Sequence, residues 1–340
     1  MSYHPIRIAE IIQETADARS FVLDVPPALV ERFRYKAGQF LTFRVPHPEG
    51  AVNRCYSLSS APETDGQPKV TVKRVVGGRG SNWFHDALKA GAAIDTMPPA
   101  GRFVLGAGDA PLLLFGGGSG ITPMMALIKS ALATTTRRMR LFYANRDRES
   151  VIFQAEFDRL VAAHPGRLEV VHHLDKEQGL TQASEIEATL KGFEQAEAYL
   201  CGPVPFMNLV EATLLARGLP RERVRIERFE ASGNDAVPPP PEAEGETIPA
   251  SITIRLEGKT HTVPYAKGQT ILVAARAAGL NPLSSCEEGF CASCAAKRVK
   301  GKVVLAKNDI YTAEDLANDW ILTCQGHCFG AEVEITYDVV

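Results

Sequence analysis

Three of the chain's seven cysteines fall within nine positions, as Cys286, Cys291 and Cys294 in "SSCEEGFCASC" (284–294). A fourth candidate, Cys324, stands much later in "WILTCQGHC". This C-x4-C-x2-C…C order suits a flat two-iron, two-sulfide cluster, because one short loop wraps three sides and leaves the last ligand to come from elsewhere. A tetrahedral zinc ion would instead pair Cys291 and Cys294 with Cys324 and Cys328, which leaves Cys286 without a role. A disulfide framework fits least well, since the cysteine count is odd and "MSYHPIRIAEIIQETADARSF" carries no export signal. The spacing predicts a 2Fe–2S cluster on Cys286, Cys291, Cys294 and Cys324, with Cys328 a bystander near it.

A second stretch with chemical potential is "GGGSGITPMM", which follows the apolar run "PLLLF" (111–115) and has Pro123 where the first turn of a helix would begin. Glycines there let a phosphate approach backbone amides at a helix N-terminus. Counting from Gly116, however, the sixth residue is Ile121, so the glycine pattern departs from the usual dinucleotide fingerprint. Alone, such a cluster is equally a tight turn.

These residues must be positioned by at least two kinds of scaffold. The runs "PLLLF", "MRLFYAN" (139–145), "LEVVHHL" (168–174), "AEAYLCG" (196–202) and "RVRIERF" (223–229) alternate with helical patterns and predict an α/β domain with a parallel sheet over 107–232. His172 and His173 lie in one of these runs without companion ligands and read as structural. Before residue 106, the short runs "RSFVLDV", "QFLTFRV", "RCYSLS" and "KVTVKRV" predict an antiparallel β-barrel over 1–106. Four consecutive prolines in "VPPPPEAEGETIPA" mark a linker, taken as 233–250. From 251 to 340 the pattern is a hairpin around Glu257-Gly258-Lys259, a helix ended by Gly279, the cysteine loop, a short strand pair around Gly301, a helix opened by Thr312 with Asp315, and a closing strand. That order makes a β-grasp domain, and residues 251–340, with every ligand in place, resemble the plant-type ferredoxins.

Residues 1 to about 232 resemble the ferredoxin–NADP reductase-like flavoproteins, on "RCYSLSS" (54–60), "GGRGSNWFHD" (77–86), "CGPVPFM" (201–207) and "ERFE" (227–230) taken in order. The resemblance implies that the R-x-Y-S segment holds a flavin. Arg54 supplies a planar cation for its phosphate, Tyr56 a flat ring for the isoalloxazine, and Ser57 a hydroxyl near N5. Gly80, Ser81 and Asn82 at a helix start suit a pyrophosphate, hence FAD rather than FMN. Cys201 and Gly202 are implied beside the nicotinamide of NAD(P)H. On this reading the cofactor-binding residues are Arg54, Tyr56, Ser57, Lys73, Gly80, Ser81, Asn82, Gly117, Gly118, Thr122, Cys201 and Gly202. The catalytic ones are Ser57, Cys201 and, as a flavin-edge carboxylate, Glu230.

The whole chain resembles the reductase components of bacterial multicomponent oxygenases, especially the 3-ketosteroid 9α-hydroxylase and phenylacetyl-CoA epoxidase group. "RCYSLSSAP", "TVKRVVGGRGSNWF", "PPAGRF" and "CEEGFCASC" carry that likeness. It implies a relay from NAD(P)H through FAD and the cluster to a separate terminal oxygenase, with NADH favoured; a hybrid-cluster protein is an alternative acceptor, and a redox sensor an alternative role. "YANRDRESVIF" offers charges of both signs to the nucleotide ribose and does not itself decide between NADH and NADPH. A net charge of −3 argues against a nucleic-acid partner, and no run of about 18 apolar residues suggests a membrane span. A cytoplasmic monomer is expected.

Overall fold

The computed structural model describes residues 3–48, 51–229, 247–284, 286, 287, 289, 291–308 and 310–338. The expected linker lies mostly outside these residues. The chain divides into two compact units, Met1–Phe229 and Glu230–Val340.

The first half of unit one is a six-stranded antiparallel sheet of β1 (His4–Thr15), β2 (Ala18–Asp24), β3 (Phe40–Val45), β4 (Val52–Ser57), β5 (Lys69–Lys73) and β6 (Ala93–Thr96). Its order is β4-β3-β6-β1-β2-β5, and a bridge from Leu58 to Val70 joins the two ends into a barrel. Side chains alternate inward, as period-2 patterning requires, so Ile6, Ile8, Phe21, Leu23, Leu41 and Phe43 share one core. Helix α1 (Arg79–Asp86) plugs it with Phe84, whose ring meets Phe21 and Phe43 edge-on at 5.1 and 5.2 Å. Strand β1 was hidden in the sequence because register shifts at Ile8/Glu10 and Gln13/Thr15 interrupt its alternation.

The second half holds β7 (Leu112–Gly117), α2 (Ile121–Thr134), β8 (Met139–Asn145), α3 (Gln154–Ala163), β9 (Leu168–Leu174), α4 (Asp175–Gln178), α5 (Ala183–Leu190), β10 (Glu197–Gly202), α6 (Val204–Ala216) and β11 (Val224–Arg228). The sheet is wholly parallel in the order β11-β10-β7-β8-β9. Leu112, Leu114 and Leu141 pack toward α2 and α3, whereas Leu113, Phe115 and Leu200 pack toward α5 and α6. Both faces are covered, which is why each strand reads as a continuous apolar run. Lys129 of α2 is buried, with its ammonium 2.6 Å from Asp65 and 3.4 Å from Glu156. It ties the barrel's β4–β5 connection to the nucleotide half.

Unit two is a five-stranded sheet of β12 (Ser251–Leu256), β13 (Lys259–Pro264), β14 (Ala295–Leu305), β15 (Trp320–Leu322) and β16 (Gly326–Thr336), in the order β13-β12-β16-β14-β15. Helix α7 (Ile271–Ala277) packs Ile271, Ala274 and Ala275 into its core, and α8 (Ala313–Ala317) is the second helix. This is the expected β-grasp. The β12–β13 turn has positive φ at Glu257 and Gly258, as a two-residue type I′ hairpin needs. Gly279 ends α7, and Thr312 and Asp315 cap α8 reciprocally.

Gly301 corrects the expectation of a short strand pair. It lies inside one continuous eleven-residue strand, β14, at a register shift against β16. Its φ is +83°, and a Cβ there would stand 2.3 Å from the Glu332 carbonyl oxygen, so the glycine is a bulge residue and not a turn.

Candidate active site and cluster site

In the parallel sheet, β7 runs beside both β8 and β10, so strand order reverses there and a crevice opens beyond the strands' carboxyl ends. Register places Glu227, Cys201, Gly116 and Tyr143 side by side across four strands. The loop after β7 meets the loop after β10 at backbone distance. A Cβ on Gly120 would lie 2.1 Å from the Cys201 carbonyl oxygen, and one on Gly117 would lie 2.7 Å from Pro203. These glycines are therefore required by loop-to-loop contact. Gly120, which the sequence reading passed over, makes the closest approach.

Around this crevice, Gly118 takes a φ of +52° and Lys73 reaches toward it, 3.9 Å from where its Cβ would sit. Thr122 is buried and its hydroxyl donates to the Ser119 carbonyl at 3.1 Å, closing the loop on itself. Gly202 packs against Gly117. Helix α2 starts at Gly120 with no side-chain cap; its Ile121 amide closes on the Gly118 and Ser119 carbonyls, and Pro123 brings no N–H.

The barrel supplies a second cradle. Helix α1 begins at Gly78, again with no side-chain cap. A Cβ on Gly80 would stand 2.5 Å from Arg54 Cγ and 3.1 Å from Tyr56 Oη, so the helix start is pressed onto the Arg54–Tyr56 strand. Tyr56 packs edge-on against Phe84 at 5.0 Å, and burial raises its phenol well above the usual range. Ser81 Oγ accepts the Val75 amide at 3.1 Å, and Asn82 Oδ1 accepts from Arg74 at 3.3 Å. The side chains of Ser81 and Asn82 thus hold the loop, and the helix amides remain for an anion. An arginine, an aromatic ring and an open helix start within one cradle fit an FAD.

Ser57 joins the two halves of unit one. Its hydroxyl donates to Glu227 Oε2 at 3.1 Å, across 170 residues of sequence. Glu227 is buried, and burial pushes its carboxyl up to about 8, partly opposed by the Ser57 hydrogen bond. Cys201, fully buried beside it, is held as a thiol by desolvation and by the Glu227 charge. Sequence reading chose Glu230 from "ERFE"; that residue lies outside the described residues, and the carboxyl the fold brings to Ser57 is Glu227. Its signal was its place opposite Cys201 at the end of β11, which needs the strand register.

In unit two, Cys291, Cys294 and Cys324 are buried and Cys286 is half-buried. Cys294 and Cys324 sulfurs lie 3.2 Å apart, while Cys291 accepts backbone amides from Cys286 and Ser293 at 3.4 Å each. The thiols therefore sit as two neighbouring pairs, Cys286 with Cys291 and Cys294 with Cys324. Pairs suit two irons better than one tetrahedral zinc. Cys328 is 1% exposed in the other core, with its amide bonded to Tyr265 Oη at 2.9 Å, so it does not pair with Cys324 as the zinc reading required. Glu287 and Ala292 adopt positive φ as the loop curls, and Arg276 of α7 holds it through Glu287 and Ser284 at 2.6 Å each.

Comparison with known proteins gives the same three parts. Residues 5–105 match the oxidoreductase FAD-binding domain, 114–212 the oxidoreductase NAD-binding domain, and 254–328 the 2Fe-2S iron-sulfur cluster binding domain. The ferredoxin reductase component of 3-ketosteroid-9-alpha-monooxygenase from Mycolicibacterium smegmatis is 43% identical, with 98% of this chain and 96% of that one aligned. A polypeptide of the 1,2-phenylacetyl-CoA epoxidase from Escherichia coli is 29% identical over 99% of this chain and 98% of its own. Phthalate dioxygenase reductase, solved as a modular structure for electron transfer from pyridine nucleotides to a 2Fe–2S cluster, superposes with a TM-score of 0.61 at 26% identity over 98% of both chains. No helix among the described residues is long and apolar enough to cross a membrane. The chain belongs to the FAD-, NAD- and 2Fe–2S-binding ferredoxin reductases that transfer electrons to a separate oxygenase component.

Proposed function

We propose that this reductase carries electrons from NADH to the oxygenase component of a 3-ketosteroid 9α-monooxygenase system. The observation that carries the reading is 43% identity over nearly the full length of both chains, against 29% for the epoxidase polypeptide. FAD, when bound, takes two electrons as a hydride and releases them singly to a one-electron cluster.

The chain's residues divide that work. Arg54 and the amides opening α1 would hold the flavin phosphates, and Tyr56 would line the ring. Gly117, Gly118, Gly202 and the start of α2 receive the nicotinamide nucleotide, with Lys73 beside its phosphates. Cys201 presents an uncharged thiol at the carboxyl end of β10, where the nicotinamide would lie. Beside a bound flavin, the Ser57 hydroxyl and its hydrogen bond to Glu227 would give the proton released on flavin reoxidation a path to that carboxylate when it is ionised. In unit two, Cys286, Cys291, Cys294 and Cys324 would hold the 2Fe–2S cluster as thiolates. The protein works as a cytoplasmic monomer.

The test is reconstitution. With NADH, oxygen and a 3-ketosteroid, the purified reductase should support product formation by a 3-ketosteroid oxygenase component. Faster turnover with an epoxidase or another oxygenase component would refute the steroid assignment and leave the relay intact.

A further inference from the structure

Two carboxylates and three cations meet where the second parallel strand ends, and their pairing bears on which nicotinamide nucleotide is used. Arg146 directly follows β8, the position from which an arginine would grip the 2′-phosphate of NADPH. Its Nη2 is instead 3.2 Å from Oδ2 of Asp17. Asp17 belongs to the barrel, in the β1–β2 turn, where its Oδ1 accepts the Thr15 hydroxyl at 2.9 Å. Asp17 Oδ2 also lies 3.8 Å from Lys73, the lysine that faces Gly118 in the phosphate loop. Asp147, the next residue along, is held by Lys176 at 2.7 Å and caps the turn at Ser150. Lys73 senses Asp17, Arg146 and Asp147 together, which places all four in one electrostatic neighbourhood.

We propose that Asp17 is a specificity-determining residue: a carboxylate supplied by the flavin barrel that engages Arg146 and selects NADH over NADPH. The inference rests on the nicotinamide nucleotide lying in the crevice described above. A 2′-phosphate brings a charge of roughly −1.5 to −2. To reach Arg146 it must displace Asp17 and then stand beside that carboxylate, so attraction to one group is offset by repulsion from the other. A ribose hydroxyl carries no charge and meets neither obstacle. Arg146 is 65% exposed, so water screens the pair and the discrimination is of moderate size. Selection by repulsion needs no contact that NADH makes and NADPH lacks.

Asp17→Asn keeps an oxygen for the Thr15 hydroxyl while removing the charge. With FAD-loaded protein and ferricyanide as acceptor, kcat/KM would be measured for both nucleotides in the natural protein, in Asp17→Asn and in Asp17→Asn/Arg146→Ala. Wild type should favour NADH. In Asp17→Asn the NADPH:NADH ratio should rise about tenfold, equivalent to about 1.4 kcal/mol, mainly through KM for NADPH. The double variant should lose the gain. Calorimetric titration with adenosine 2′-monophosphate gives a readout independent of turnover, with tighter binding expected to Asp17→Asn alone. A natural enzyme that prefers NADPH would refute the NADH reading and this proposal together. An NADH-preferring enzyme whose ratio and 2′-monophosphate affinity do not move in Asp17→Asn, or whose gain survives loss of Arg146, would refute the role of Asp17 only.

Discussion

The two units handle charged cofactors by opposite means. In the flavin and nicotinamide unit, α1 and α2 begin at Gly78 and Gly120 without side-chain caps, and an open start such as that of α1 suits a ligand phosphate. In the ferredoxin unit, Thr270 caps α7 through the Val273 amide, and Thr312 with Asp315 closes α8. There the ligand is a metal cluster, which calls for anions, and a curled loop turns thiols inward to provide them. The contrast is one of these helices and not of every helix start, since α3, α4 and α6 of the first unit also lack side-chain caps.

The widest separation between the units should come from Cys324→Ser. Delivery of electrons to the oxygenase component should fall by at least about 100-fold, since even groups outside the ligand shell cost 10- to 100-fold. NADH-driven ferricyanide reduction should persist; its loss would show that the units cannot work apart. Gly120→Ala attacks the other unit, because its Cβ would meet the Cys201 carbonyl oxygen at 2.1 Å. Stopped-flow flavin reduction should slow about 100-fold, as displacements near 1 Å do, while iron and sulfide content stay at two each per chain.

Glu227→Gln sharpens the comparison within the first unit. In the natural protein the return of oxidised flavin should speed up as the carboxyl ionises near pH 8, and in the variant this step should be about 100-fold slower and flat with pH. Stability runs the other way. The folded carboxyl keeps a proton that the unfolded one releases above about 4.5, so its contribution is whole below that value and is lost as pH rises through about 8. Melting curves across this window should decline more steeply for the natural protein than for Glu227→Gln. The smallest effect belongs to Thr312→Ala, which removes a helix cap and should cost the ferredoxin unit about 1 kcal/mol in denaturant titrations without altering flavin reduction.

Much of this was legible in the residue order, and for definite reasons. The parallel strands announced themselves because both faces of their sheet are covered, and the cysteines because one loop carries three of them. Glu227 was not legible. It matters only through its register opposite Cys201 and a hydrogen bond to Ser57 in the other half of the unit. Gly301 looked like a turn, since a bulge and a turn ask for the same positive φ. Asp17 and Arg146 lie 129 residues apart and carry no shared motif.

The close fit of Gly120 to Cys201 has a consequence for recombining these reductases. The loops after β7 and β10 are far apart in sequence, yet neither tolerates an added methyl group where they touch. A chimera whose crossover falls between residues 120 and 201 would inherit one loop from each parent. It could keep every cofactor-binding residue and still fail, because the inherited part is the matched pair.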